Sequence, residues 1–282
     1  MSTLLEPFEF AFFRNGMIVG ALAGALLALL GVFVVLRGMS YIGHGLSHAI
    51  LGWAVASYVV GVNFYVGAFA GGFVAAGLVD RVSRRRTLGA DAAIGVVTTI
   101  SFAVGLLLIA TRRGFARSFD AALFGNVLGV RGLDVAVVAA VMASAALFVF
   151  FGYRRLLFAT FDPEVAQASG VNISRLDALY ALMLAAGIVA TMNVIGVLLV
   201  AAGLVIPAAT ARLLTDSFSR MIWISVLLGA VSGIAGMYLS WFRDWPSGPT
   251  IVLTQGALFL GAYAFSGARG RLRSLPSAHG AA

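Results

Sequence analysis

The feature that most constrains this chain is where its charges are missing. Between short clusters of Asp, Glu and Arg run seven stretches with no charged side chain: Asn15–Leu36, Gly38–Val79, Ala92–Thr111, Val135–Tyr153, Ala178–Ala211, Met221–Phe242 and Trp245–Ala268. They hold 22, 42, 20, 19, 34, 22 and 24 residues. A helix of about 20 residues crosses the hydrocarbon core of a bilayer. The 42-residue run has room for two spans with a break near Gly61-Val62-Asn63. The 34-residue run has room for two short ones with a break near Thr191–Asn193. Pro246 and Pro249 push the start of the last helix to about Thr250. The expectation is an all-α polytopic membrane protein of eight or nine transmembrane helices. Ala121–Val130 is too short to span and reads as an interfacial or re-entrant piece. Composition agrees: charged residues make up 11% where a soluble domain has about 25%, so a water-coated surface is excluded.

Two absences narrow the chemistry. No Cys is present, so there is no disulfide, thiolate metal site or thiol nucleophile. No Lys is present either, since all 19 basic residues are Arg. A phosphate loop needs its Lys to reach the β- and γ-phosphates, so any ATP chemistry belongs to a partner. Ser47 and His48 are adjacent and do not face each other on a helix, and no G-x-S-x-G elbow occurs. The chain is not read as an enzyme, and nothing in it points to a nucleic-acid partner.

Arginine placement orients the chain. One nine-span threading puts thirteen Arg inside (Arg37, Arg81, Arg84–Arg86, Arg154, Arg155, Arg175, Arg212, Arg220, Arg269, Arg271, Arg273) and six outside (Arg14, Arg112, Arg113, Arg117, Arg131, Arg243). The Trp245–Pro249 loop then faces outside. The first apolar segment reads as a span and not as a cleaved signal, because Glu6 and Glu9 stand where a basic region is expected. Residues 1–13 form an N-terminal segment, 14–268 the transmembrane domain and 269–282 a cytoplasmic tail, disordered over Leu275–Ala282. Gly16, Gly20 and Gly24 share a helix face, and Gly67/Gly71 and Gly229/Gly233 repeat the spacing. Such residues bring backbones close in lipid, within one subunit or between two.

His279 lies in the tail. His44 and His48 sit inside the long uncharged run, and their i, i+4 spacing puts both imidazoles on one helix face. Ionisable groups in a span mark ion paths by default, and two imidazoles on one face suit a shared metal ion. The alternatives are rings hydrogen-bonded within the bundle, to backbone or Ser47, and a proton relay. Asp80, Asp91, Asp134, Asp177 and Asp244 all fall at segment ends, which disfavours ion-coupled antiport. Between two spans, Asp162 can cap a helix, Pro163 suits its first position, Glu164 its positive end, and Gly170 its stop. This two-turn helix on the Arg-rich side, with Ala168 on it, is either an ordinary loop helix or a lever gripped by a cytoplasmic motor.

Over about residues 10–265 the chain resembles the permease subunits of metal-ion ABC importers for zinc, manganese and iron(II), the ABC-3 family. The landmarks are Gly31-Val-Phe-Val-Val-Leu-Arg-Gly-Met-Ser-Tyr41, Gly45-x-Ser-His-Ala49 after His44, Ala93-Ile-Gly-Val-Val97, Leu123-Phe-Gly125 with Leu128-Gly129, Phe161–Asn172, Val205-Ile-Pro-Ala-Ala-Thr-Ala-Arg212 and Pro246-x-Gly-Pro-Thr250. The resemblance implies a homodimer in the bacterial inner membrane with two cytoplasmic ATP-binding subunits and an extracytoplasmic solute-binding protein. It implies that 162–170 is the coupling helix and that His44 and His48 contact the ion. The family usually has Asp and His there, so His44 stands in place of a hard, anionic ligand. Manganese loses more from that change than zinc. The reading is therefore a permease for zinc as cargo, with no permanently bound cofactor; the alternatives are manganese or iron(II), or a stand-alone cation carrier or channel. Gly45, Ser47 and Gly52 are expected to line the path, and Pro207 is a kink or hinge candidate.

Overall fold

The computed structural model describes residues 6–83, 90–111, 125 and 129–273. Arg84–Arg86, Arg112, Arg113, Arg117, most of Ala121–Val130 and the tail with His279 lie outside the described residues. Among those described, ten α-helices follow a 3-10 turn at Glu6–Glu9. They are α1 (Ala11–Leu36), α2 (Ser40–Val59), α3 (Phe64–Ser83), α4 (Ala90–Thr111), α5 (Gly132–Phe161), α6 (Pro163–Ala168), α7 (Ile173–Ile195), α8 (Val197–Leu214), α9 (Phe218–Arg243) and α10 (Ser247–Arg273). Five of them (α1, α5, α7, α9 and α10) are long and apolar enough to cross a membrane, and α3, α4 and α8 carry shorter apolar stretches.

The helices begin and end close to where charge and turn residues predict. The break after α2 falls at 60–63. Three boundaries differ. α10 starts at Ser247, before Thr250, because Pro249 sits in the first turn, where its missing N–H costs no helical bond. It also continues past residue 268 to Arg273. The break in the 34-residue run is at Gly196, past Asn193: its φ of +94° is one that only Gly adopts without strain.

α1 is the central pillar. In its most apolar window 78% of residues are buried. α9 runs antiparallel along it: Gly20 faces Gly233, Gly24 faces Gly229, and the Ser225 hydroxyl donates to the Ala28 carbonyl at 2.9 Å. A methyl group on Gly24 would fall on the Gly229 carbonyl oxygen, and one on Gly229 on that of Gly24. The Gly face read from α1 is thus packed within the chain, and so is Gly67/Gly71, which meets Ser57 and Trp53 of α2. On another side of α1, the Tyr180 hydroxyl of α7 donates to the Leu30 carbonyl at 2.8 Å. Gly187 meets Leu26 and Leu30, while Gly203 and Leu204 of α8 meet Leu27 and Gly31. These registers make α7 antiparallel to α1 and α8 parallel to it, so the chain reverses at Gly196. At the far end Phe8, Phe10 and Phe13 pack on Tyr238 and Trp241, an aromatic belt at the membrane boundary.

Apolar side chains also cover the outside: Phe150, Trp223 and Leu253 are 75%, 73% and 65% exposed. With hydrocarbon as solvent, that exposure is no defect.

Gly24→Val should force α1 and α9 apart. Overpacking costs typically about 1–3 kcal/mol and more against rigid backbone, so detergent-purified protein should melt at lower temperature and with lower yield. Gly256→Ala, which would meet open space, should leave the melting point unchanged or slightly raised. Equal behaviour of the two variants would remove the packing role of the glycine rail.

Candidate cation site

α2 packs against α4 without intervening bulk. A Cβ on Gly45 would lie 2.5 Å from Ile94 and 2.8 Å from Thr98, and one on Gly105 would lie 2.5 Å from the Gly52 backbone. The two helices run parallel, since Gly45 meets Ile94 and Thr98 while Gly52 meets Ser101 and Phe102. Near the start of α2 this contact opens into a cavity of about 500 Å³. His44 and His48 enter it from α2, with Thr98, Thr99 and Phe102 opposite on α4. The imidazole centroids are 4.5 Å apart at 80°, and Phe102 presents to His48 at 4.9 Å. His44 is exposed at the mouth and His48 is half-buried. Among the described residues, Nδ1 of His48 is buried without a hydrogen-bond partner. The Thr98 hydroxyl is already committed to the Ile94 carbonyl at 2.7 Å.

Two imidazoles on one face of a cavity can offer a dication two nitrogen ligands. No group of three or more His, Cys, Asp or Glu converges among the described residues.

Of the other residues expected on the path, Gly45 lines this cavity. Ser47 does not: it is fully buried and its hydroxyl donates to the His44 carbonyl at 2.8 Å. Gly52 faces the Ser101 carbonyl, so its role is contact between α2 and α4. Pro207 is buried inside an uninterrupted α8. Phe102 and Thr99 were not legible as site residues, because nothing in the α4 sequence marks one apolar face from another.

The short helix is as its residues predict. The Asp162 carboxylate accepts from the Val165 N–H at 3.0 Å, Pro163 opens α6, and Gly170 takes φ +83°. Ala166 anchors it, fully buried, while Pro163, Glu164, Val165, Gln167 and Ala168 are exposed. Both flanks are tied to one side chain. Arg37, at the end of α1, donates to Asp177 of α7 at 2.6 Å and to the Thr160 hydroxyl of α5 at 3.3 Å. Its guanidinium lies 5.4 Å from the Tyr180 ring centroid. Arg37, Thr160 and Asp177 border a second cavity of about 420 Å³, and Ile94 lines both this cavity and the imidazole one. The sequence marked Arg37 and Asp177 only as span ends; their meeting across 140 positions left no local signal.

A model of the ABC 3 transport family matches residues 9–266. The chain is similar to the manganese transport system membrane protein MntC of Halalkalibacterium halodurans, at 36% identity over 94% of this chain and 90% of that protein. It is also similar to the chelated iron transport system membrane protein YfeC of Yersinia pestis, at 34% over 96% and 92%. Among solved structures, PsaBC from Streptococcus pneumoniae in complex with Fab superposes with a TM-score of 0.85 at 30% identity, covering 93% of this chain and 95% of that one. These relatives are membrane proteins, and the several apolar helices here agree with a multi-pass membrane location.

Asp177→Ala should destabilise the protein by about 1–3 kcal/mol, between the value of an exposed pair and the cost of orphaning a buried charge. Thermal unfolding of purified protein measures it. The exchange Arg37→Asp with Asp177→Arg should recover part of the loss; no recovery would mean the ion pair is not what holds the joint.

Proposed function

Because the chain belongs to the ABC 3 transport family, as the membrane permease of a metal-ion ABC transporter, we propose that it passes a divalent transition-metal ion into the cytoplasm, with zinc as the cargo its donors suit best. The observation that carries this reading is the His44–His48 pair, one turn apart on α2 and lining one cavity with Thr98, Thr99 and Phe102 of α4. Neutral imidazole suits borderline ions such as Zn²⁺ better than harder Mn²⁺. Two ligands hold an ion briefly, as a transit point requires.

In this reading two copies of the chain form the path, and a second copy or water completes the coordination. An extracytoplasmic binding protein delivers the ion. Separate ATP-binding chains supply the energy, since this chain has no Lys for a phosphate loop. They grip the exposed residues of α6. The Arg37 joint supports such a lever: one guanidinium links both flanks of α6 to the turn that opens α2. Rocking of α6 would then carry to the imidazole pair as a rigid-body movement. A second reading, manganese or iron(II) as cargo, is favoured by the names of the relatives.

Uptake into proteoliposomes holding the assembled transporter separates these. His48→Ala should lower zinc uptake at least about tenfold, since even second-shell losses at metal sites reach 10–100-fold, with the amount of permease unchanged. His44→Asp should move preference toward manganese. Undiminished uptake in His48→Ala would remove the site, and manganese outcompeting zinc in the unaltered protein would select the second cargo.

Glu164→Arg and Ala168→Trp test the lever. Both should separate ATP hydrolysis from uptake while the bundle stays folded, because these positions are exposed. Normal coupling in both would leave α6 an ordinary connector.

A further inference from the structure

A groove of about 960 Å³ lies between α5 and α9, floored by Leu29 of α1. Its body is aromatic, with Phe150, Phe151 and Trp223 exposed at 75%, 80% and 73%. Arg154, Arg155 and Ser219 line one end, and Met142 reaches furthest toward the other. Neither guanidinium makes a hydrogen bond or ion pair with a described residue, and no acidic side chain lines the groove. Ser217 makes no side-chain cap, so the first-turn N–H groups of α9 add positive potential at the same end.

We infer that this groove is a binding site for one anionic phospholipid of the cytoplasmic leaflet, its phosphate between Arg154 and Arg155 and an acyl chain along Phe150, Phe151 and Trp223. Three observations select that occupant. The two free cations stand at the end of α5 that leads into α6, the Arg-rich end, and the cytoplasmic leaflet is the anionic one. From Met142 to Arg155 the helix rises about 20 Å, close to the depth of one leaflet with its headgroup layer, about 20–22 Å. The groove also lies away from the imidazole cavity. Its walls α5 and α9 pack on α1, whereas the imidazole cavity is built by α2 and α4. A subunit contact along the ion path would leave the groove facing lipid.

Native mass spectrometry of the full-length protein, titrated with phosphatidylglycerol or phosphatidylcholine of the same acyl chains, tests this. A basic residue near the anionic surface is worth about a fivefold gain each, so the pair should favour phosphatidylglycerol about 25-fold. Arg154→Gln with Arg155→Gln should abolish the preference. Ala146→Trp, which fills the groove with both arginines intact, should weaken both lipids and serves if the first variant fails to insert. Equal affinity for the two lipids, or undiminished phosphatidylglycerol binding in Ala146→Trp, would overturn the proposal. The Cys-free chain adds one more arm: Trp223→Cys introduces its only thiol. A disulfide-linked dimer through it in native membranes would mean that a second copy covers the groove and would equally overturn the lipid site. A monomeric thiol that reacts with a lipid-phase maleimide, slowed by phosphatidylglycerol, supports it.

Discussion

Everything in this molecule is positioned by the direct approach of helix backbones. In hydrocarbon, burying a Leu against another Leu gains little over leaving it against lipid, so helices associate through close packing. The rail of Gly20 and Gly24 on Gly229 and Gly233 sets α9 on α1. Gly31 brings α8 onto α1 at Leu204, and the Leu204 side chain in turn meets Gly43 of α2. Gly52 and Gly105 then lock α2 to α4. The imidazole cavity sits at the end of this series of contacts, so its shape depends on residues that carry no chemistry themselves.

The cavity and the Arg37 end of the bundle are close neighbours. Ile94 is a wall to both the imidazole cavity and the one beside Arg37. Arg37 holds the end of α1, the last turn of α5 and the first turn of α7 together. α6 hangs between the last two, with five exposed residues and one buried anchor. Force applied to α6 has a short, packed route to α2, and packed interiors pass strain on where liquids do not. In the proposed role, an ion held by two nitrogens would be released by a small displacement of either ring.

How much of this could be read beforehand differs by feature. The helices themselves were legible from charge spacing, and α6 down to its cap at Asp162 and its stop at Gly170. The His44–His48 face was legible because i, i+4 spacing is local geometry. The reversal at Gly196 was misplaced by a few residues, since several small or polar residues there compete to end a helix and only backbone conformation selects one. Ser47 and Gly52 were expected on the path because they neighbour the histidines in sequence. A helix turns about 100° per residue, so neighbours in sequence point elsewhere, Ser47 into its own helix and Gly52 into α4.

By itself the sequence determined the solvent of this chain, its helical class, the end that carries the arginines, and the face shared by two histidines. Each of these follows from side-chain type and a period of 3.6 residues. Only the tertiary structure decided that Phe102 and the threonines of α4 close the cavity, that Arg37 meets Asp177, and that α5 and α9 leave a basic-ended groove. Those juxtapositions join positions tens to more than a hundred residues apart. No local pattern encodes them, because they arise from which glycine faces find each other when the helices pack.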